Sequence, residues 1–239
     1  MRRATAALAA LAALASCACG DGEDRPEITV SAASSLKTAF TGYADTYQGA
    51  TVRLSFGGSD QLAAQIRAGA RPDVFAAADA ALPAALHREG LVERPVRFAK
   101  NRLVVAVPAG GARVDEVADL ARPGVRIAAG APAVPVGAYA RRAIRSLPPA
   151  QGAAIEDNIA SEEPDAATVI GRVRSGAVDA GFTYLTDVAP AGLRAIELPV
   201  RVEATYAAAV VRGSGSEAEA RRFVAGLAGA PALRRAGFR

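Results

Sequence analysis

The stretch that decides the fold is ITVSAASSLKTAFTGYADTYQGATVRLSFGGSDQLAAQIRA, residues 28–68. Its β-rich runs at 28–32 and 51–56 predict two strands, and the amphipathic stretches at 36–47 and 61–68 predict a helix after each. Alternation at this spacing is typical of α/β layers, because a helix carries the chain back to begin the next parallel strand. The stretch therefore predicts an α/β fold with mostly parallel sheets.

The same alternation continues along the rest of the chain. Two turn-rich segments, Pro108-Ala-Gly-Gly and Leu198-Pro-Val, are the predicted places where the chain passes between two lobes. Ligand groups would then lie in a cleft, at the carboxyl ends of strands, where helices begin. Further strands are predicted at 74–78, 102–107, 125–129, 180–184 and 204–211, and further helices at 81–89, 137–147, 166–175 and 217–227.

Composition excludes several functional classes. Of the 239 residues, 51% are apolar, which is enough to bury a core. One histidine and two cysteines rule out a Cys/His zinc site, and the formal net charge of +4 is too dispersed to favour nucleic acid as a partner. An enzyme is not expected. The alternative is an extracellular serine hydrolase, but its base would have to be His87 on a polar helix face, and no GxSxG motif is present.

The amino terminus has the pattern of an export signal followed by an anchor. Two arginines precede an uncharged run at 4–15, which is too short to span a bilayer, so residues 1–16 are predicted to be a signal peptide. Leu14-Ala-Ser-Cys resembles a bacterial lipobox, in which Cys17 is lipidated and 17–26 forms a tether. The alternative is ordinary cleavage after a small residue. Either route predicts an extracytoplasmic protein, in the periplasm or on the outer face of the cytoplasmic membrane.

Four segments place a small or polar residue directly before a predicted helix. Such residues are common N-caps, and the first turn of a helix leaves backbone N–H groups without partners. Several such ends in one cleft could bind a tetrahedral oxyanion without any cation, helped by the helix dipoles. The alternative is a purely structural role in capping and turns. The segments are Ser34-Ser35, Gly57-Gly58-Ser59, Val134-Pro-Val-Gly and Glu163-Pro-Asp.

Eight motifs follow one another in a recognisable order. They are AASSL (32–36), SFGGS (55–59), LAAQI (62–66), GARPDVF (69–75), AD (78–79), NRLVV (101–105), VPVGAYA (134–140) and DAGFTY (179–184). Together they resemble the periplasmic molybdate-binding proteins of ABC importers, and the likeness runs from about residue 27 to Gly237-Phe238. Each motif is weak alone, whereas the ordered set is specific.

The resemblance implies a two-lobed periplasmic binding protein fold of type II. The sheets would be mixed and mostly parallel, helices would cover both of their faces, and the ligand cleft would lie between the lobes. Lobe 1 would comprise residues 27–107 plus 204–239, and lobe 2 would comprise residues 108–203.

The resemblance also implies five residues that hold the oxyanion through its oxygens, with no cofactor. Ser35 and Ser59 would donate their hydroxyls, Val136 a backbone N–H, and Tyr184 its phenol. The fifth position falls at Asp165, where the family usually has a neutral residue. A carboxylate would repel a dianion, so its side chain is expected to cap the following helix while its N–H serves the ligand.

The function implied is that of a lipid-anchored, monomeric subunit that captures molybdate or tungstate and delivers it to the membrane permease of an ABC importer. A site made only of donors favours an anion without protons, because a proton on hydrogen phosphate would meet another donor and stay unpaired. Sulfate carries no proton either and would have to be refused by its smaller size. The alternative is the same fold binding sulfate or another small anion.

Overall fold

The computed structural model describes residues 25–110 and 113–239. The predicted signal peptide and Cys17 lie outside the described residues. Within them, no helix combines the length and the apolar character needed to cross a membrane. The strands are β1 (Glu27–Ala33), β2 (Thr51–Gly57), β3 (Val74–Ala77), β4 (Val96–Pro108), β5 (Ile127–Gly130), β6 (Ile159–Glu163), β7 (Ala180–Tyr184), β8 (Leu193–Glu197) and β9 (Glu203–Val210). The helices are α1 (Lys37–Ala44), α2 (Ser59–Arg67), α3 (Ala81–Arg88), α4 (Pro135–Arg145), α5 (Pro149–Asp157), α6 (Ala166–Arg174), α7 (Leu185–Val188), α8 (Glu217–Leu227) and α9 (Pro231–Arg235).

The strands of the described chain form one continuous sheet in the order β2-β1-β3-β9-β4-β7-β5-β6, with β8 paired to β4. Strand β1 is parallel to β2 and β3, and β5 is parallel to β6 and β7. The remaining pairings are antiparallel, and each of them involves β4 or β9. The α/β class and the mixed sheet are confirmed, with four parallel and four antiparallel strand pairs among the described residues. The sheet is mixed because the two strands at its centre run against their neighbours.

Strand β4 pairs with two different sets of strands. Its residues 96–102 pair with β9, whereas 103–108 pair with β7 and β8. The change of partner falls between Arg102 and Leu103, inside one continuous strand. We propose that the chain passes from lobe 1 to lobe 2 at this point, five residues before the boundary expected from the sequence, and that it returns in 198–202, between β8 and β9.

Burial distinguishes the inner strands from the edge of the sheet. Every residue of β3 and β7 is buried, whereas no residue of β2 is. Strands covered on both faces are typical of the interior of an α/β sheet, and β2 stands at one edge. The buried parallel strands therefore bring their carboxyl ends, and the residues that follow them, to defined positions inside the molecule.

An aromatic cluster holds α1 and α8 on lobe 1. The rings of Tyr43 and Phe223 lie 4.8 Å apart, and the Tyr43 hydroxyl donates to the Phe223 carbonyl at 3.2 Å. Phe40 packs against Phe223 and against Phe98 of β4, with ring centroids 6.1 and 5.8 Å apart. These contacts stabilise α1, which begins directly after Leu36 and so supports the turn that carries Ser35.

Candidate functional site

Each of the five predicted residues lies at or just after the carboxyl end of a strand, and all five line one pocket between the lobes. Ser35 follows β1, Ser59 follows β2, Val136 follows β5, Asp165 follows β6, and Tyr184 ends β7. The pocket contains about 200 Å³ of empty space, part of it open to solvent. It is also lined by Ala33, Ser34, Gly57, Gly58, Ala78, Val134, Pro135 and Ala166.

The two serines reach the pocket from lobe 1 with their hydroxyls already engaged on one side. Ser59 begins α2 and is 2% exposed, and its Oγ accepts the backbone N–H of Ala78 at 3.1 Å. Ser35 lies in a short 3-10 turn, and its Oγ is 2.9 Å from the Tyr206 hydroxyl. Because Ser59 already accepts a hydrogen bond, its own proton remains free to donate into the pocket.

Lobe 2 contributes the first turn of α4. Val134 precedes this helix in an extended conformation, and no side chain caps it. Pro135 has no N–H, so Val136 carries the first amide hydrogen of the helix. A Cβ on Gly137 would overlap the carbonyl oxygens of Gly130 and Ala131, so only glycine lets α4 start this close to the end of β5.

Asp165 turns its carboxylate towards its own helix. The backbone N–H of Thr168 donates to Asp165 Oδ1 at 2.8 Å, and the Thr168 hydroxyl donates to the same oxygen at 3.1 Å. This is the N-cap expected from the sequence. The arrangement reduces the conflict between this carboxylate and a bound anion, because the charge is spread over donors of α6.

Tyr184 brings a buried and unpaired hydroxyl to the pocket. Its side chain is 1% exposed, and the hydroxyl has no hydrogen-bond partner among the described residues. Burial raises the pKa of the phenol well above its usual value, so the group stays protonated and able to donate. Its ring packs edge-on against Tyr139 and Tyr206, with centroids 6.4 and 5.7 Å apart. A buried donor without an acceptor is costly unless a ligand supplies one.

Asp187 of α7 is an ionisable carboxyl that does not line the pocket but interacts electrostatically with two residues that do, Asp165 and Tyr184. No local pattern in the sequence points to it. Burial raises its pKa to about 7, although weak hydrogen bonds at 3.5 Å from the hydroxyls of Thr183 and Thr186 act in the opposite direction. The pocket itself is lined by no Lys, Arg or His in the described parts of the chain, so its donors are neutral.

The single histidine is outside the pocket. His87 lies near the end of α3, and its Nδ1 is 3.1 Å from the Val92 carbonyl. It does not line the pocket with Ser35 or Ser59, so neither serine has an imidazole base. No group of three or more His, Cys, Asp or Glu suited to a metal ion occurs in residues 25–110 and 113–239.

The fold and the site define a two-lobed ligand-binding protein whose pocket is built from neutral donors of both lobes. The family model of bacterial extracellular solute-binding proteins matches residues 28–239, and the chain belongs to that family. The molybdate-binding protein ModA of Mycobacterium tuberculosis H37Rv is 35% identical over 232 residues, covering 92% of this chain and 87% of that protein.

Solved structures share the fold. The periplasmic molybdate-binding protein of Azotobacter vinelandii superposes with a TM-score of 0.78 at 24% identity, covering 89% of this chain and 98% of that one. The sulfate-binding protein SubI of Mycobacterium tuberculosis H37Rv has a TM-score of 0.73 at 18% identity, covering 90% and 86%. At these identities the likeness concerns the fold rather than the ligand.

Proposed function

We propose that this protein captures molybdate or tungstate outside the cytoplasm and delivers it to the membrane permease of an ABC importer. The observation that carries the proposal is the buried Tyr184 hydroxyl, which has no acceptor in the described chain and lines a pocket with two serine hydroxyls. The relatedness to ModA supports the same ligand. Ser35, Ser59, Tyr184 and the backbone N–H groups of Val136 and Asp165 would hold the oxyanion through its oxygens.

The chemistry of the donors favours an anion that carries no proton. A fully deprotonated oxyanion offers only acceptors, whereas hydrogen phosphate would bring a proton into a pocket of donors. An unpaired buried polar group costs roughly 1–3 kcal/mol, and hydrogen bonds to a charged acceptor are about twice as strong as neutral ones. Titrating the purified protein with molybdate, tungstate, sulfate and phosphate tests the proposal. Tight binding of sulfate with no binding of molybdate would replace it by the sulfate alternative.

Removing the Ser59 hydroxyl is expected to weaken molybdate binding at least tenfold, or about 1.4 kcal/mol. The hydroxyl is buried, and in its one hydrogen bond among the described residues it accepts the Ala78 N–H. Its proton therefore remains available to donate to a ligand. Isothermal titration calorimetry of Ser59→Ala measures the loss. Ser161→Ala is the matched control, because its buried hydroxyl lies outside the pocket and has no partner in the described structure. An unchanged dissociation constant for Ser59→Ala would remove this residue from the site.

Molybdate affinity is expected to fall roughly fivefold as the pH rises from 6 to 8, because Asp187 ionises with a pKa of about 7. In the native protein the raised pKa keeps this carboxyl neutral below that value. Above it, a negative charge near the pocket opposes the anion by about 1 kcal/mol. Calorimetry across this pH range checks the trend, and Asp187→Asn should flatten it. A wild-type affinity that is constant between pH 6 and 8 would contradict the prediction.

The raised pKa of Asp187 also predicts how the stability of the protein depends on pH. A folded pKa of about 7, above the ordinary value of 3.8, means that the native state binds more protons than the unfolded state between these values. The stability of the unliganded protein should therefore decrease as the pH rises through this window. Thermal melts of wild type and Asp187→Asn at pH 5 and 8 test the assignment independently of the ligand.

We further propose that the chain is exported by residues 1–16 and held at the membrane by a lipid on Cys17, as a monomer. The basic head, short apolar run and Leu-Ala-Ser-Cys order of the sequence support this. The mass of the mature amino-terminal peptide tests it, since lipidation adds acyl chains to Cys17. A mature chain that begins elsewhere with an unmodified residue would leave the protein without an anchor.

A further inference from the structure

A second tyrosine lies behind the pocket without lining it. Tyr206 of β9 is fully buried, and its hydroxyl is 2.9 Å from Ser35 Oγ, although the two residues are 171 positions apart. Either oxygen can be the donor in this contact. The direction of the bond decides what Ser35 can offer to a ligand, because a serine hydroxyl has a single proton.

The surroundings of Tyr206 indicate the direction of that bond. Tyr206 is fully buried, and among the hydrogen bonds of the described residues its hydroxyl has one partner, Ser35 Oγ. If Ser35 donated in this contact, the buried Tyr206 proton would have no acceptor, which is costly. Ser35 also lines the pocket, so its own proton can point towards a ligand instead. Tyr206 is therefore the donor.

The ring of Tyr206 is held in place by its neighbours. Its centroid lies 5.2 Å from Phe238, 6.3 Å from Phe98 and 5.7 Å from Tyr184, each in an edge-on arrangement. Edge-on aromatic pairs of this kind are specific in orientation. Tyr206 therefore contacts both the Ser35 hydroxyl and the Tyr184 ring, two groups that line the pocket from different lobes.

We propose that Tyr206 is a positioning residue, which donates to Ser35 and so commits the Ser35 proton to the bound anion. The inference rests on the proposed function, because it concerns the donor geometry of the same pocket. It also adds a specificity role. A Ser35 hydroxyl that already accepts from Tyr206 is a poorer acceptor for the proton of hydrogen phosphate, so Tyr206 contributes to the preference for a proton-free anion.

Tyr206→Phe tests the proposal, because it keeps the ring and removes only the hydroxyl. We expect molybdate affinity to fall about fivefold or more, and the ratio of molybdate to phosphate affinity to fall as well. In a Ser35→Ala background the same substitution should change molybdate affinity less than twofold, since it acts through Ser35.

Tyr43→Phe is the matched control. It removes a buried hydroxyl that donates to Phe223 at 3.2 Å, so it should lower the melting temperature and leave binding unchanged.

The outcomes separate this inference from the proposed function. If the wild-type protein binds none of the four anions, the proposed function fails before Tyr206 is considered. If the wild-type protein binds molybdate and Tyr206→Phe binds equally well, only the positioning role is wrong. A loss that is the same in the Ser35→Ala background as in the wild type would also overturn it, because Tyr206 would then act independently of Ser35.

Discussion

Tyr184→Phe should lower molybdate affinity ten- to a hundredfold while leaving the unliganded protein at least as stable as the wild type. A hydrogen bond to a charged acceptor contributes about 1.5–3 kcal/mol, which corresponds to this loss of affinity. In the unliganded protein, however, the Tyr184 hydroxyl is buried and lacks a partner among the described residues. Removing it therefore eliminates an unsatisfied group and costs no hydrogen bond.

The opposite signs of these two effects identify a ligand-binding hydroxyl. Calorimetry measures the affinity, and thermal melting without ligand measures the stability. Tyr43→Phe again provides the contrast, since its hydroxyl has a partner at 3.2 Å and its loss should reduce stability without changing affinity. A melting temperature that drops in Tyr184→Phe together with an unchanged affinity would show that this hydroxyl serves the fold and not the ligand.

Gly58→Ala is expected to weaken molybdate binding about a hundredfold, roughly 2.7 kcal/mol, by holding the two lobes apart. Gly58 has φ −64° and ψ 133°, a conformation that alanine adopts without strain. The main constraint comes from the other lobe, because a Cβ at this position would lie 2.5 Å from the backbone carbonyl oxygen of Pro164. The other close atom, Asp60 Oδ1 at 2.9 Å, belongs to a side chain that can move. A second contact close by, from the Ala167 N–H to Ser34 Oγ at 3.4 Å, also joins the lobes.

The test of Gly58 compares binding with folding. Gly171→Ala is the control, because a Cβ there meets no heavy atom within 4 Å and the position is in the exposed part of α6. Neither variant should melt below the wild type in the absence of ligand, since Gly171→Ala favours the helix, and only Gly58→Ala should lose affinity. Small-angle scattering should also show a smaller compaction on adding molybdate. Wild-type affinity in Gly58→Ala would mean that close approach of the lobes at Pro164 is not needed for binding.

Local patterns predicted most of the elements that carry the site. The predicted strands at 28–32, 51–56 and 180–184 correspond to β1, β2 and β7, and the predicted helix at 217–227 is α8. Their apolar runs and periodicity involve residues only a few positions apart, so they are visible in a short window. The same logic anticipated the Asp165 cap, because capping involves residues three positions apart.

The missed elements had weaker local signals. Strand β6 reads IASEE and β8 reads LRAIE, both short and with only one buried residue each, and α5 contains PAQGAAIED with little separation of apolar and polar faces. The first half of β4, VRFAKN, was also missed, since its pattern is interrupted by an irregularity between Arg97 and Ala99. These segments owe their structure to pairing with strands or helices far away in sequence.

By itself, the sequence determined the order of strands and helices, the neutral donor types at the helix starts, and the absence of a second histidine. Those properties depend on neighbours within a few positions and on residue chemistry. Only the tertiary structure decided that β4 would pair with both β9 and β7, that the Tyr206 hydroxyl would lie next to Ser35 Oγ, and that Gly58 would face Pro164. Such contacts join residues at least 75 positions apart in the chain. They depend on how the layers pack, so no local pattern records them.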